Sequence, residues 1–460
     1  MNLIYGVKDK PRFHQLLIFA FQQVLAILAA TIAVPSIIGN GMSQSAALFG
    51  AGVGTLVYQL FTKFKSPVYL GSSFAFLGSM GAAFAGAVSL TAGYAGLLIG
   101  VICAGLVYVV IALIIKLVGV NWIEKLMPAA VIGPTVAIIG LSLAGNAVSD
   151  LATGKVLVES VSFVVKDGAV AENVAMVSGC SPYVALICGL ITLFAVMIFS
   201  VYGKKMMKLI PFILGILVGY VIASIFTVIG IATNNVALQV IDFSVFKGME
   251  IFAIPDFTFL KAMEGMGQVN GAYIATVAVA YIPVAFVVFA EHIADHKNLS
   301  TVIGQDLLKE PGLHCTLLGD GVGSIAGAIF GGCPNTTYGE SVGCVAITRN
   351  ASVVTITTAA IMCMVISFFG PFVTFLASIP NCVMGGVCFA LYGFIAVSGL
   401  KMVQKVDLNQ SKNLFVVSVI LIAGIGGLSV SFGKIKLTAI ACALILGIVT
   451  NLLLSRGKEE

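Results

Sequence analysis

The sequence predicts an all-α polytopic membrane protein with fourteen transmembrane segments, arranged as a 7+7 inverted repeat in which the third and tenth segments are broken. Three observations lead to this fold class. The 460 residues are 59% hydrophobic and only 9% charged, with a mean hydropathy of +1.10, whereas a soluble domain carries about 25% charged residues. Apolar stretches of bilayer length recur along the chain, and parts of its first half are echoed in its second half.

The apolar stretches number about fourteen when about 20 residues are taken as the length that crosses a bilayer core. They lie at residues 13–35, 46–62, 66–88, 92–116, 127–147, 182–202, 208–231, 271–292, 312–331, 332–348, 351–377, 380–400, 413–428 and 435–455.

The third and tenth stretches begin with small, polar and helix-breaking residues. The third opens with Ser-Pro-Val-Tyr-Leu-Gly-Ser-Ser-Phe at 66–74, and the tenth opens with the run Gly-Gly-Cys-Pro-Asn-Thr-Thr-Tyr-Gly-Glu at 331–340. Non-helical backbone is tolerated at membrane depth where it lines a cavity. Both segments are therefore expected to be half helix and half extended chain.

The distribution of positive charge predicts the orientation. If the N-terminus is cytoplasmic and the fourteen segments alternate, 18 of the 24 lysines and arginines fall on the cytoplasmic side. Lys205, Arg456 and Lys458 are among them, and Lys434 is among the remainder. This excess agrees with the positive-inside rule. Both termini are expected in the cytoplasm.

Two pairs of similar sequence indicate an internal repeat. Leu-Phe-Gly-Ala-Gly-Val-Gly-Thr-Leu at 48–56 resembles Leu-Leu-Gly-Asp-Gly-Val-Gly-Ser-Ile at 317–325, and Pro-Ala-Ala-Val-Ile-Gly at 128–133 resembles Pro-Asn-Cys-Val-Met-Gly at 380–385. Each half would hold seven segments, an odd number, so the second half would insert upside down. Paired broken segments in inverted repeats are typical of secondary transporters.

Composition also argues against several other classes. The ten cysteines lie mostly in apolar segments without paired spacing, which favours small core residues over disulfides or a zinc site. His292 and His296 have a spacing that can hold zinc, but no third ligand is suggested nearby, so no metal or other cofactor is expected. The basic residues are scattered at loop ends, which indicates contact with membrane lipids rather than with nucleic acid.

Acidic residues inside apolar segments are the main functional candidates, because an ionised side chain at mid-bilayer costs at least ~2.5 kcal/mol. Glu291 lies in the eighth stretch, and Asp295 follows four residues later on the same helix face. We expect Glu291 to face a central cavity, with Asp295 as a possible proton relay one turn nearer the cytoplasm. The alternative for Asp295, His292 and His296 is an interfacial cluster at the end of a segment.

Glu340 stands at the second break, after Asn335, Thr336, Thr337 and Tyr338. Its carboxylate can accept N–H groups, backbone amides of the broken segment can donate to carbonyls, and an aromatic face can stack. This set suits a planar heterocycle with adjacent N–H and C=O groups. The alternative, which is compatible with the first, is that Asn and Thr cap a half-helix.

At these residues the chain resembles the nucleobase–ascorbate transporter (nucleobase:cation symporter-2) family, over nearly its whole length. The matching motifs are Tyr-Leu-Gly-Ser-Ser-Phe-Ala-Phe at 69–76, Ala-Glu-His at 290–292, Asp-Leu-Leu at 306–308, Pro-Gly-Leu-His at 311–314 and Pro-Asn-Thr-Thr-Tyr-Gly-Glu at 334–340. The signature differs at Ser341, where the family has asparagine, and at Ala351, where it has glycine. Asp295 stands where some members have histidine.

The resemblance implies a bacterial inner-membrane transporter that works by alternating access and forms a homodimer. It implies neither an enzyme nor a nucleic-acid-binding protein. A core domain would comprise residues 1–118 and 266–378, and a gate domain residues 119–265 and 379–460. It implies proton-coupled uptake of uracil. The implied substrate contacts are Glu291, Glu340, the backbone of Phe74 and Gly339, and packing by Ala30, Tyr338 and Tyr392.

Two rival functions remain open from the sequence. The first is the same fold with a purine such as xanthine or urate as substrate, although Glu340 favours a pyrimidine. The second is a passive solute channel, although few polar residues recur at helical spacing. An enzyme is not expected because no nucleophile is paired with an oriented base. Glu291 and Asp295 are the proton-coupling candidates, and the sequence does not exclude sodium as the coupled ion.

Overall fold

The computed structural model describes residues 3–119, 121–166, 169–204, 206–432 and 435–455. The described chain is predominantly helical, with three two-stranded antiparallel sheets. Lys205, Lys434, Arg456 and Lys458, which were used to predict the orientation, lie outside the described residues, as does the C-terminus beyond residue 455.

The helices are α1 (Phe13–Ile38), α2 (Gln44–Phe61), α3 (Leu77–Ala85), α4 (Leu90–Val118), α5 (Asn121–Leu126), α6 (Ala129–Ser142), α7 (Ala144–Leu151), α8 (Pro182–Tyr202), α9 (Met206–Leu209), α10 (Pro211–Ala232), α11 (Thr258–Gly265), α12 (Gly271–Ile303), α13 (Leu313–Gly331), α14 (Gly339–Thr348), α15 (Val353–Ile366), α16 (Gly370–Ser378), α17 (Asn381–Val403), α18 (Ser411–Ile425) and α19 (Ala439–Leu454). The strands are β1 (Leu70–Ser72), β2 (Leu157–Lys166), β3 (Ala169–Ser178), β4 (Asn335–Thr337), β5 (Val430–Phe432) and β6 (Ile435–Leu437).

Helices long and apolar enough to cross a membrane recur along the described chain. Eight stretches meet both conditions, and four further apolar helices are shorter. The chain is therefore a mostly helical, multi-pass membrane protein, as the composition predicts. The number fourteen and the inverted repeat stay predictions, because several of the expected segments consist of helices too short to span a bilayer alone.

The longest helix, α12, differs from its predicted bounds. It begins after Asn270, whose Oδ1 accepts a 2.9 Å hydrogen bond from the N–H of Tyr273 and so caps the first turn. It ends at Gly304, which adopts a left-handed conformation with φ 71°. The predicted stretch stops at residue 292, at the first run of polar side chains. The helix continues past that point because His296 and Leu299 are completely buried.

A glycine crossing joins α2 to α13. A Cβ added to Gly54 would lie 2.7 Å from the carbonyl oxygen of Gly323, and one added to Gly327 would lie 2.7 Å from that of Gly50. The two backbones approach so closely that only glycine fits at these points. The glycine-rich run at 319–327 is therefore a helix-packing surface.

The structure divides into two compact units. The first unit comprises residues 1–143, 252–369 and 392–460. Within it, strands β1 and β4 pair antiparallel, with Leu70 opposite Thr337 and Ser72 opposite Asn335. Each strand is followed by a short helix, so both broken segments combine extended chain and helix, as the sequence predicts.

The second unit comprises residues 144–251 and 370–391. Strands β2 and β3 form a hairpin that pairs Leu157 with Ser178 and Lys166 with Ala169. Helices α8 and α10 pack closely, since a Cβ on Gly215 would meet the side chain of Val196. The hydroxyl groups of Tyr220 and Ser378 lie 2.8 Å apart and link α10 to the end of α16.

Candidate functional site

The two broken segments of the first unit meet through their extended stretches. Beyond the β1–β4 pairs, the N–H of Ser73 donates to the carbonyl of Pro334 at 2.9 Å, and the N–H of Tyr338 donates to the carbonyl of Tyr69 at 3.3 Å. Because the strands run antiparallel, the two broken segments leave the strand pair at opposite ends. Each segment then enters a helix.

Each of these helices begins beside the ladder. After Ser73 the chain forms a 3₁₀ turn at Phe74–Phe76 that continues into α3, and after Tyr338 it forms α14. The first N–H groups of a helix have no acceptor within that helix. In α14 the first amide that donates to the N-cap carbonyl is that of Val342, so the amides of Gly339 and Glu340 precede the helical hydrogen bonds.

Tyr338 fixes the geometry between β4 and α14. Its hydroxyl donates a 2.7 Å hydrogen bond to the carbonyl of Ser72, and the residue is only 5% exposed. A Cβ on Gly71 would collide with the Tyr338 ring. The ring therefore lies across the backbone of the other broken segment, and Glu340 follows in the first turn of α14, where a carboxylate is favoured by the helix dipole.

Glu291, on α12, lines a cavity together with residues of both broken segments. This small cavity, with a volume of about 40 Å³, is bounded by Glu291, Glu340 and the starts of both short helices. The lining residues are Ser73, Phe74, Ala75, Ile139, Glu291, Thr336, Thr337, Tyr338, Gly339, Glu340 and Ile395.

Five of the predicted substrate-contact residues thus line one cavity: Phe74, Glu291, Tyr338, Gly339 and Glu340. The other two predicted contact residues, Ala30 and Tyr392, are not among the residues that line it. Ala30 is 1% exposed within α1, and Tyr392 is 2% exposed on α17. The ring of Tyr392 packs edge-on against that of Phe74, with centroids 5.7 Å apart.

Sequence reasoning did not identify Ile139 and Ile395 as lining residues. Both lie in apolar helices, α6 and α17, where an isoleucine gives no signal that distinguishes a cavity wall from a helix-packing surface. Only their tertiary placement opposite the two carboxylates brings them to the site. Thr336 and Thr337 lie in the run that drew attention to Glu340, and both line the cavity.

Asp295 is placed next to the cavity by a hydrogen bond to the second broken segment. Its Oδ2 accepts a 2.8 Å hydrogen bond from Oγ1 of Thr337. Asp295 is one helical turn from Glu291, and Thr337 is three residues before Glu340. The contact therefore ties the helix that carries one glutamate to the segment that carries the other.

The side chains of His292 and His296 are completely buried inside the protein. Nδ1 of His292 lies 2.7 Å from Oδ2 of Asp320, and Nε2 lies 3.0 Å from Oγ1 of Thr316. Nδ1 of His296 lies 2.8 Å from the carbonyl oxygen of His292, and Nε2 lies 2.7 Å from the hydroxyl of Tyr58. Every ring nitrogen thus has a partner.

Asp320 is a buried acid that sequence reasoning missed, because it stands within the glycine-rich run of α13. It is completely buried opposite His292. The available signal was its charge in an apolar segment, the same signal that identified Glu291.

Ser341, the departure from the family signature, is joined to two other elements. Its Oγ accepts a hydrogen bond from Nε2 of Gln23 on α1, and another, of 3.2 Å, from the N–H of Tyr69. Gln23 and Ser341 are both buried. The first turn of α14 is therefore held by α1 and by the chain that leads into β1.

Comparison with known proteins relates the chain to permeases over nearly its whole length. The model of a permease family, Xan_ur_permease, matches residues 14–431. A uracil permease of Bacillus subtilis (strain 168) is 36% identical over 459 residues, which cover 99% of this chain and 96% of that protein. A uracil permease of Bacillus caldolyticus is 37% identical over 455 residues, which cover 98% and 94%.

The fold also resembles a solved structure, the transmembrane domain of the cyanobacterial bicarbonate transporter BicA. The TM-score is 0.60 at 16% identity, and the match covers 97% of this chain and 100% of the other. That likeness concerns the fold alone. The family match and the identity to the permeases together show that the chain is a multi-pass membrane transporter, not an enzyme, and that it belongs to the nucleobase–ascorbate transporter family.

Proposed function

We propose that this protein takes up uracil together with a proton by alternating access across the plasma membrane. The observation that carries the proposal is the meeting of two carboxylates and two helix starts in one cavity, contributed by Glu291, Glu340, Phe74 and Gly339. The relatives named uracil permeases support the choice of base.

The proposed binding mode matches donors to acceptors. Uracil has two N–H groups and two carbonyl oxygens in one plane. The carboxylates of Glu291 and Glu340 would accept the N–H groups, and the backbone amides of Phe74 and Gly339 would donate to the carbonyls. The rings of Phe74 and Tyr338 would contact the base directly, while Ala30 and Tyr392 would support these contacts from behind.

Glu291 is the proposed proton carrier, with Asp295 as a second coupling group. An ionised carboxylate is costly to carry through a membrane, so a proton that neutralises Glu291 would accompany the base. Uracil is neutral at physiological pH, and a proton gradient can drive its accumulation only if proton and base favour each other's binding. Such coupling is reciprocal: the proton must raise affinity for the base by the same factor that the base raises affinity for the proton.

The proposed architecture is the fourteen-segment inverted repeat with cytoplasmic termini. Residues 1–118 and 266–378 would form the core domain, residues 119–265 and 379–460 the gate domain, and two chains would form a homodimer. The β1–β4 pair and the glycine crossing of α2 with α13 join elements from opposite halves of the sequence. Such pairing is what an inverted repeat would produce at its symmetry axis.

The test is uptake of labelled uracil into proteoliposomes with an imposed pH gradient, acidic outside. We expect saturable accumulation that collapses when a protonophore dissipates the gradient. Unchanged accumulation without a gradient would contradict symport, and unsaturable uptake would favour a channel. Unlabelled xanthine and urate are included as competitors, since displacement of uracil by a purine at equal concentration would contradict the pyrimidine assignment.

A further inference from the structure

A second and larger cavity of the first unit has a volume of about 590 Å³. Its walls are mainly apolar and include Ile132 of α6, Ala294 of α12 and Met402 of α17. Lys297 and Lys309 also line it, and both are exposed. No lining residue is shared with the smaller cavity.

The two cavities lie along the same helices. On α6, Ile139 lines the smaller cavity and Ile132 the larger, and on α17 these positions are Ile395 and Met402. Each pair is seven residues apart, which places both members on one helix face about 10.5 Å apart. The two cavities therefore lie along the same faces of α6 and α17, displaced by two helical turns.

The direction of this displacement is the same on all three helices. The larger cavity lies toward the first residues of α6 and toward the last residues of α12 and α17. In the predicted topology, each of these ends is cytoplasmic. Lys297 and Lys309 beside the cavity agree with that placement, because cytoplasmic loops are enriched in positive charge.

The aromatic pair of Phe74 and Tyr392 lies on the side of the smaller cavity that faces away from the larger cavity. Tyr392 lies one turn before Ile395 on α17, on the side away from Met402. Its ring packs edge-on against Phe74 with an interplanar angle of 82°, and the two residues are 2% and 8% exposed. Phe74 lines the smaller cavity, whereas Tyr392 is not among its lining residues. The contact thus joins α17 to the start of the first broken segment.

We infer that the Phe74–Tyr392 contact is the extracellular closure of the substrate site, and that the larger cavity is its cytoplasmic release route. This inference rests on the proposed transport function and adds which groups must separate for a base to enter from outside. The two rings must part to open the extracellular side. On the cytoplasmic side, the larger cavity is lined by the exposed side chains of Lys297 and Lys309.

The test uses a reporter cysteine at Ile395, which lines the site, and a membrane-impermeant methanethiosulfonate reagent. Ile395→Cys is treated from the extracellular side in right-side-out vesicles and from the cytoplasmic side in inside-out vesicles. The parent protein, with its native cysteines, gives the background. We expect cytoplasmic labelling to be faster by about tenfold or more, as for an open state whose alternative is a minor population.

The closure itself is tested by Tyr392→Ala in the reporter background. We expect faster labelling from the extracellular side with cytoplasmic labelling retained, which also shows that the variant is folded. Tyr392→Phe keeps the ring and should label like the parent. Tyr94→Ala is the matched control, since Tyr94 packs edge-on against Phe84 with centroids 5.3 Å apart and neither residue lines either cavity.

Phe74→Leu removes the other ring of the contact and should raise extracellular labelling as Tyr392→Ala does. Equal labelling of the reporter from both sides would overturn the inference. Unchanged extracellular labelling in both ring variants would also overturn it. Labelling needs no substrate, so asymmetric labelling in a protein that fails to bind uracil would contradict the proposed function and leave the closure intact.

Discussion

The substitution Glu340→Gln tests the binding mode through a single exchange of one acceptor oxygen for an NH₂ group. Glu340 is in the first turn of α14, where the backbone N–H groups of Gly339 and Glu340 precede the helical hydrogen bonds. The N–H of Glu340 favours an acceptor, while that of Gly339 is assigned to a carbonyl of the base. The carboxamide oxygen is therefore expected to turn toward the N–H of residue 340, which leaves its NH₂ group facing an N–H of the base.

The expected loss follows from the bond that is removed. A hydrogen bond to a charged group contributes ~1.5–3 kcal/mol. Its loss weakens binding by about tenfold to 100-fold, since each 1.4 kcal/mol changes Kd about tenfold. Two donors facing each other add to this loss, so we expect the upper part of the range.

The assay is equilibrium binding of labelled uracil to purified protein. Glu310→Gln is the matched control, because it makes the same chemical change on a side chain that is 76% exposed and paired with Lys65. We expect wild-type affinity for the control and an unchanged melting temperature for both variants. A Glu340→Gln variant that melts normally and binds uracil within about twofold of wild type, well below a tenfold loss, would refute the reasoning.

The other predictions concern coupling and packing. Glu291→Gln should retain uracil exchange but lose pH-driven accumulation in proteoliposomes, and unchanged pH dependence would move the proton carrier elsewhere, with Asp295 the next candidate. Thr337→Val removes the 2.8 Å hydrogen bond to Asp295 and should reduce the maximal uptake rate without loss of folding; a wild-type rate would show that this bond is dispensable. Gly327→Ala should destabilise by ~1–3 kcal/mol through overpacking in thermal unfolding, whereas Gly81→Ala, where a Cβ meets no atom within 4 Å, should be tolerated; equal melting temperatures would contradict the close crossing.

The sequence predicted the membrane class and the two breaks because both depend on local signals. Charge is so costly in a bilayer that composition alone identifies a polytopic protein. The proline and glycine residues of the breaks interrupt helices wherever they occur, and the structure has β1 and β4 at those places. Glu291 and Glu340 could be predicted as functional residues because a charged side chain inside an apolar segment is costly and therefore rare.

Other features depend on tertiary contacts that local sequence does not encode. The histidines resembled interfacial residues because their partners, Asp320 and Tyr58, lie on other helices. Ile139 and Ile395 look like any other apolar residues until α6 and α17 are placed opposite the carboxylates. The position of Tyr392 behind Phe74, rather than on the cavity surface, likewise follows only from the packing of α17.

The most direct test of the central claim is competition for labelled uracil by 1-methyluracil and 3-methyluracil on the purified protein. Each methyl group replaces one N–H and leaves the ring, both carbonyls and the other N–H unchanged. If Glu291 and Glu340 each accept one N–H, both analogues should bind at least about tenfold more weakly than uracil, the change that corresponds to loss of about 1.4 kcal/mol. Displacement by either analogue as effective as displacement by uracil would contradict the claim that the two carboxylates hold the base.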